Sequence, residues 1–232
     1  MKFPRLFEPV RIGTMQVKNR FVMAPVAMRY NTPLGTITQR VIDHYAERAK
    51  GGTGLIIVEA TTMDWPVGKV GACPLRLDRD SYIQGFRDLV EAVHSHGAKV
   101  AVQLQHVGGQ TNRRNTEGAQ PVAPSVVPFP RADTPRALTL QEIRSIIREF
   151  AESILRAKTA GFDAVEIHGA HGYLVTQFHS PYFNRRNDLY GGSFHNRMRF
   201  AVELIEAARE KVGRDFPLIF RFSADEHVAG GV

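Results

Sequence analysis

Two kinds of apolar pattern alternate along the chain. Short runs at residues 21–25 (FVMAP), 55–60 (LIIVEA), 99–104 (KVAVQL), 164–167 (AVEI) and 217–222 (PLIFRF) are continuous or nearly so. Runs of that length, rich in β-branched residues, predict strands buried on both faces. Between them the apolar positions recur every three or four residues, which predicts amphipathic helices. Thr38 caps the first, carrying Ile42, Tyr45 and Ala49 and ending at Gly51–Gly52. The second spans 81–96, with Ile83, Phe86, Leu89, Val90 and Val93 on one face and Gly97 as its stop. Thr139 and Glu142 form a capping-box pattern ahead of Ile143, Ile146, Ile147, Phe150, Ile154 and Ala157. A fourth helix is predicted from about 196 to 211.

Strands that alternate with helices imply an α/β fold with a parallel sheet. No GxGxxG follows the first strand, where a Rossmann domain would carry it. A (β/α)8 TIM barrel fits better, but a complete one has eight strands and about 250 residues. With 232 residues and five strand candidates, the expectation is one barrel domain over 1–232, truncated after its fifth strand with three βα units absent. Apolar residues on either side of Gly13–Thr14 predict a small hairpin capping the base. Residues 105–137, rich in Gly, Pro, Asn and Arg, predict a long loop of the kind that is usually functional or mobile.

Composition changes this picture little. Hydrophobic residues make up 43% and charged residues 23%, ordinary for a globular domain. No apolar run approaches the roughly 18 residues of a membrane span, and MKFPRLFEPV lacks a secretory core. The single cysteine, Cys73, excludes an internal disulfide and suits a reducing, cytoplasmic setting. The net charge of +7 is spread along the chain, which reads as a solvated basic surface and not a nucleic-acid face. It also suits attraction of anionic cofactors.

The candidate chemistry lies just past the fourth strand. His168, His171 and Tyr173 fall within six residues at its carboxyl end, the catalytic face of an α/β barrel. Two imidazoles and a phenol there can donate hydrogen bonds to a bound oxygen and pass a proton. His-x-x-His alone is equally compatible with a structural role. Zinc would want a third ligand, and no HExxH is present. Gln103 could be a satisfied core amide, and Arg221 a buried ion-pair partner of Glu166 or Glu59.

The motifs KNRFVMAPVAM at 18–28, VEA at 58–60, VQLQHVGG at 102–109, EIHGAHGYL at 166–174, SPYFNRRNDLYGGSFHNRMRF at 180–200 and LIFRFSADE at 218–226 resemble the old yellow enzyme family of FMN-dependent oxidoreductases. The resemblance implies an FMN across the mouth of the barrel, NAD(P)H as reductant, and reduction of the activated C=C of a small unsaturated carbonyl compound. It implies main-chain contacts to the flavin from Ala24, Pro25, Val26 and Ala27. Ala60 would lie beside the ring, Gln103 at its pyrimidine edge and Arg221 near N1 and O2. His168 and His171 would bind the substrate oxygen, and Tyr173 would be the proton donor. The ADE after the last strand resembles longer members, which carry a [4Fe–4S] cluster and a second, FAD-type flavin domain beyond the barrel. A homo-oligomer is compatible with this reading.

Two positions depart from the family pattern. Ala27 stands where Thr or Cys is common, removing a side chain that would touch the flavin. Gly109 stands where Arg is common, which is expected to open the substrate side. Alternative readings are a barrel fragment that is inactive or needs a partner and, more distantly, a metal-dependent lyase or hydrolase.

Overall fold

The computed structural model describes residues 2–232. Five parallel strands lie side by side in sequence order: β3 (Val22–Met23), β4 (Leu55–Thr62), β6 (Lys99–Gln105), β9 (Ala164–Gly169) and β10 (Leu218–Phe222). The sheet curls into a half-barrel, and a two-residue strand, β5 (Leu75–Arg76), adds onto the upper end of β4. Helices α1 (Gln39–Lys50), α2 (Ile83–His94), α3 (Leu140–Ala160) and α5 (Phe194–Val212) cover the outside, α1 packing on α2, α2 on α3 and α3 on α5. None of the helices is long and apolar enough to cross a membrane.

Each central strand has two unlike faces, because successive side chains point to opposite sides. Outward-facing Ile56, Val58, Val100, Val102, Leu104, Val165 and Ile167 are buried with Phe86, Leu89, Phe150, Ile154, Phe200 and Leu204 of the helices. Each such side chain contributes about 1.5–3 kcal/mol of burial. The inward face is apolar only at its base, where Leu55, Ile57, Ala101 and Ala164 meet Met15 and Val17. Those last two belong to the expected hairpin, β1 (Val10–Ile12) antiparallel to β2 (Met15–Val17), which closes the base. Higher up, the inward positions are Glu59, Gln103, Glu166, His168 and Arg221. The half-barrel is greasy at the bottom and polar at the mouth.

Several elements differ from the sequence expectation. The first strand is only Val22–Met23, since Pro25 has no N–H to continue a ladder. Strand β4 runs to Thr62 and contains a bulge: Val58 pairs Val102 but Thr61 pairs Leu104. A short helix, α4 (Leu174–His179), follows the fourth barrel strand; six residues are too few for a helical period to show. The last helix begins at Phe194 because the Ser193 hydroxyl accepts from Asn196 N–H. The long 105–137 segment is organised by two-residue strands, β7 (Val122–Ala123) and β8 (Arg136–Ala137), paired in parallel. It is clasped to the 180–192 loop by Arg186, whose Nη1 donates to the carbonyls of Pro124 and Leu138 at 2.8 and 2.7 Å while its Nε holds Asp188 at 3.0 Å.

The capping box of α3 is complete, with Glu142 N–H donating to Thr139 Oγ1 and Thr139 N–H to the Glu142 carboxylate. Arg136 forks onto the same carboxylate at 2.6 and 2.9 Å, and this hydrogen bond holds Glu142 down at about 2. Thr139→Ala is expected to lower stability by about 1 kcal/mol, read as a shift of the urea midpoint with an unchanged slope.

Candidate active site

The polar mouth is built around one buried carboxylate. Glu166 is 2% exposed and accepts from Gln103 Nε2 at 2.7 Å and from Arg221 Nε at 2.9 Å, both on Oε1. Arg221 Nη2 approaches Oε2 at 3.3 Å. The three residues lie on adjacent strands, β6, β9 and β10, at registers that bring their inward side chains together. Of the two partners open to Arg221 in the sequence, the structure selects Glu166. Gln103 is likewise satisfied as an amide, although both residues also line the cleft above.

A second carboxylate, Glu59, sits at the bulge of β4. The extra residue there lets Glu59 and Ala60 both face the cleft, where a regular strand would turn one of them away. Glu59 accepts from Met28 N–H at 3.0 Å and lies 3.4 Å from the Tyr45 hydroxyl, so it ties the loop after β3 to the barrel. Burial raises its pKa, while the main-chain N–H groups of Met28 and Arg29 pull it back.

The chain leaves β9 through Ala170 into a tight turn. Tyr173 N–H donates to Ala170 C=O at 3.2 Å, and the two central residues, His171 and Gly172, have φ of +59° and +72°. Paired left-handed residues of this kind make a type I′ turn, which reverses the chain over two residues. Gly172 adopts that conformation freely; His171 does so at a cost of about 1–2 kcal/mol, with its N–H 3.2 Å from Ser223 Oγ. Fully buried Gln177 holds the turn by donating to Gly172 and Val107 C=O at 2.7 and 3.1 Å and accepting from Gly109 N–H at 3.1 Å.

The turn folds the three candidate rings back on one another. Ring centroids lie 4.9 Å apart for His168 and His171, 5.0 Å for His168 and Tyr173, and 6.5 Å for His171 and Tyr173, all edge-to-face. They share a cleft of about 300 Å³ with Pro25, Ala27, Ala60, Gln103 and Arg221. Ala24 and Val26 do not line it; Val26 is 55% exposed. His168 is 3% exposed and its Nδ1 has no hydrogen-bond partner. Burial, reinforced by the nearby His171 and Arg221, pushes it down to about 3, so the ring is neutral at physiological pH. Burial raises the Tyr173 phenol, which keeps its proton. Among the described residues no three His, Cys, Asp or Glu side chains gather as a metal-ligand set.

Sequence reasoning did not place Arg29, Val70, Cys73 or Pro74 at the site, yet they also line the cleft. The loops that carry them have no periodic pattern to place them. Gly109 does not open the substrate side. It is buried, and a Cβ there would lie 2.9 Å from Phe129, which stacks on Phe183 and fills that space.

Polar groups gathered at the carboxyl ends of parallel strands, above an apolar base, are the arrangement of a βα-barrel enzyme. Comparison with known proteins makes the class specific. The chain belongs to the NADH:flavin oxidoreductase / NADH oxidase family, whose sequence profile matches residues 5–232. It is 54% identical over 230 residues to an NADH oxidase of Thermoanaerobacter brockii, covering 99% of this chain and 35% of that protein. It is 43% identical over 229 residues to an NADPH dehydrogenase of Clostridium acetobutylicum, covering 97% of this chain and 66% of that protein. Among solved structures, morphinone reductase in complex with tetrahydroNAD superposes with a TM-score of 0.90 at 34% identity, covering 99% of this chain and 66% of that one. The chain therefore spans between a third and two thirds of the length of these relatives. The likeness to old yellow enzymes in the sequence motifs is thereby established.

His168 and His179 bind protons more weakly folded than unfolded. Burial, with Arg197 nearby, holds His179 at about 4, and its Nε2 has no partner. Well above pH 6.5, from about pH 7.5 upward, both residues are neutral in either state. As pH falls from 6.5 toward 4 the unfolded chain takes up protons that the folded chain refuses, so stability declines by up to about 1.4 kcal/mol per pH unit for each histidine. His179→Leu should make urea midpoints measured from pH 7 to 4.5 fall less steeply, by about one proton's worth.

Proposed function

We propose that this chain forms the flavin- and substrate-binding face of an FMN-dependent ene-reductase that draws its electrons from NAD(P)H. The observation that carries the reading is the shared cleft. His168, His171 and Tyr173 line it together with Pro25, Ala27, Ala60, Gln103 and Arg221. The relatives' names, an NADH oxidase, an NADPH dehydrogenase and a morphinone reductase, support the nicotinamide side of it.

The donor set suits a flavin. Small side chains at Pro25, Ala27 and Ala60 leave room for a flat ring. The Gln103 amide and the Arg221 guanidinium can offer an acceptor and donors to the imide edge of its pyrimidine. Both are oriented from below by Glu166, whose pairing with Arg221 also removes the cost of an isolated buried carboxylate. Ala27 has no polar atom to add to this edge. Reduced flavin, when bound, supplies a hydride, which is the cofactor's chemistry.

The chain's own residues supply the rest. The Nδ1 atom of His168 has no protein partner and serves the substrate's carbonyl oxygen together with His171. A neutral His168 polarises that oxygen without the repulsion a second cation would meet beside Arg221. Donors fixed in advance cost no reorganisation when negative charge develops on the oxygen. The Tyr173 phenol, protonated at neutral pH, holds the proton that the α-carbon requires. The type I′ turn gives His171 and Tyr173 their places, one on either side of Gly172.

Tyr173→Phe in the flavin-loaded protein should lower kcat for an enone such as cyclohexenone by about 10²-fold or more. Binding of phenolic ligands, followed by the flavin spectrum, should persist. His168→Ala should cost about 10²–10³-fold in kcat. Reduction at the parent rate in both variants would overturn the assignment of roles.

A further inference from the structure

One cation in the cleft has no part in the chemistry just described. Arg29 lies in the loop after β3, with φ of +56°, a left-handed backbone that side chains other than glycine seldom adopt. The backbone is held there from behind, since Glu59 accepts from the main-chain N–H of Met28 and is also drawn on by that of Arg29. Strain kept in place by a buried carboxylate is a reason to look for function at the side chain it directs.

That side chain reaches the loop that carries Val70 and Cys73, since a Cβ added at Gly71 would lie 3.6 Å from its Nη2. It lines the same space as His168, His171 and Tyr173. The other cleft guanidinium, Arg221, is held in an ion pair with Glu166. Arg29 makes no ion pair among the described residues. Its charge is felt by the Glu59 carboxylate, but the guanidinium itself stays unpaired, and a planar guanidinium matches a carboxylate with two parallel hydrogen bonds.

Resting on the ene-reductase reading, we propose that Arg29 is a specificity-determining residue. It grips a carboxylate on the substrate, so that unsaturated carbonyl compounds bearing an acid group are preferred over neutral ones of the same size. The carbonyl oxygen meets the histidine pair and the carboxylate meets Arg29, which fixes the alkene between two polar anchors. A pyrophosphate of the nicotinamide nucleotide is the other anion that the same guanidinium could attract.

The test uses the flavin-loaded full chain reduced with dithionite, which removes the nucleotide from the measurement. Reoxidation is followed with 4-oxopent-2-enoate and with its amide, two compounds of equal size and different charge. The parent protein should favour the acid, and Arg29→Gln should lower the acid-to-amide ratio of rate constants about 10- to 100-fold, with Arg29→Lys recovering part of it. Titration of the oxidised protein with saturated 4-oxopentanoate, read in the flavin spectrum, should show the same loss of affinity without turnover. An unchanged ratio in Arg29→Gln overturns the inference, and if the same variant then slows flavin reduction by NADH or NADPH in a separate half-reaction, the guanidinium serves the nucleotide instead. Failure of the parent to reduce either compound, with flavin bound, overturns the ene-reductase reading and this inference with it. Preserved amide reduction with no acid preference overturns the inference alone.

Discussion

A carboxylate buried to 2% exposure cannot stand alone in a protein interior, and the mouth of this half-barrel is organised by that constraint. Glu166 must be paired, and the pairing draws Gln103 and Arg221 from the strands on either side of it. Once paired, two long and otherwise mobile side chains are held in single orientations over the cleft. A buried ion pair is weak evidence for stability; here its structural consequence is orientation. It fixes one polar edge of the cleft.

Glu59 does for the opposite wall what Glu166 does for the floor. Its position at a bulge brings the carboxylate and Ala60 to the same side, and its oxygens hold the main chain at Met28 and Arg29. The two glutamates share a logic. Each is an inward side chain at the polar end of a strand whose lower inward positions are apolar, and each binds groups from a neighbouring element. The boundary between apolar base and polar mouth lets one short sheet serve as both core and site.

The turn after β9 shows the same economy in backbone. Two left-handed residues reverse the chain so that rings from positions 168, 171 and 173 meet edge to face. The cost at His171 is met by contacts outside the turn, chiefly Gln177, which ties it to the loop after β6. A local strain at the carboxyl end of the strand is thus supported by hydrogen bonds from a buried side chain.

Much of this was legible in the order of residues. Helix and strand periods, the capping box at Thr139 and the cluster of His168, His171 and Tyr173 are short-range patterns, and local sterics and side-chain alternation are enough to predict them. The inward placement of Gln103 and Arg221 also follows from alternation along a strand. What no local pattern carries is which carboxylate Arg221 meets, that β4 bulges at Glu59, that Phe129 fills the space beside Gly109, or that Arg29 reaches the cleft at all. Those depend on register between strands and on how loops far apart in the chain lie against each other. Such contacts are set by packing across the whole sheet, so only the tertiary structure decided them.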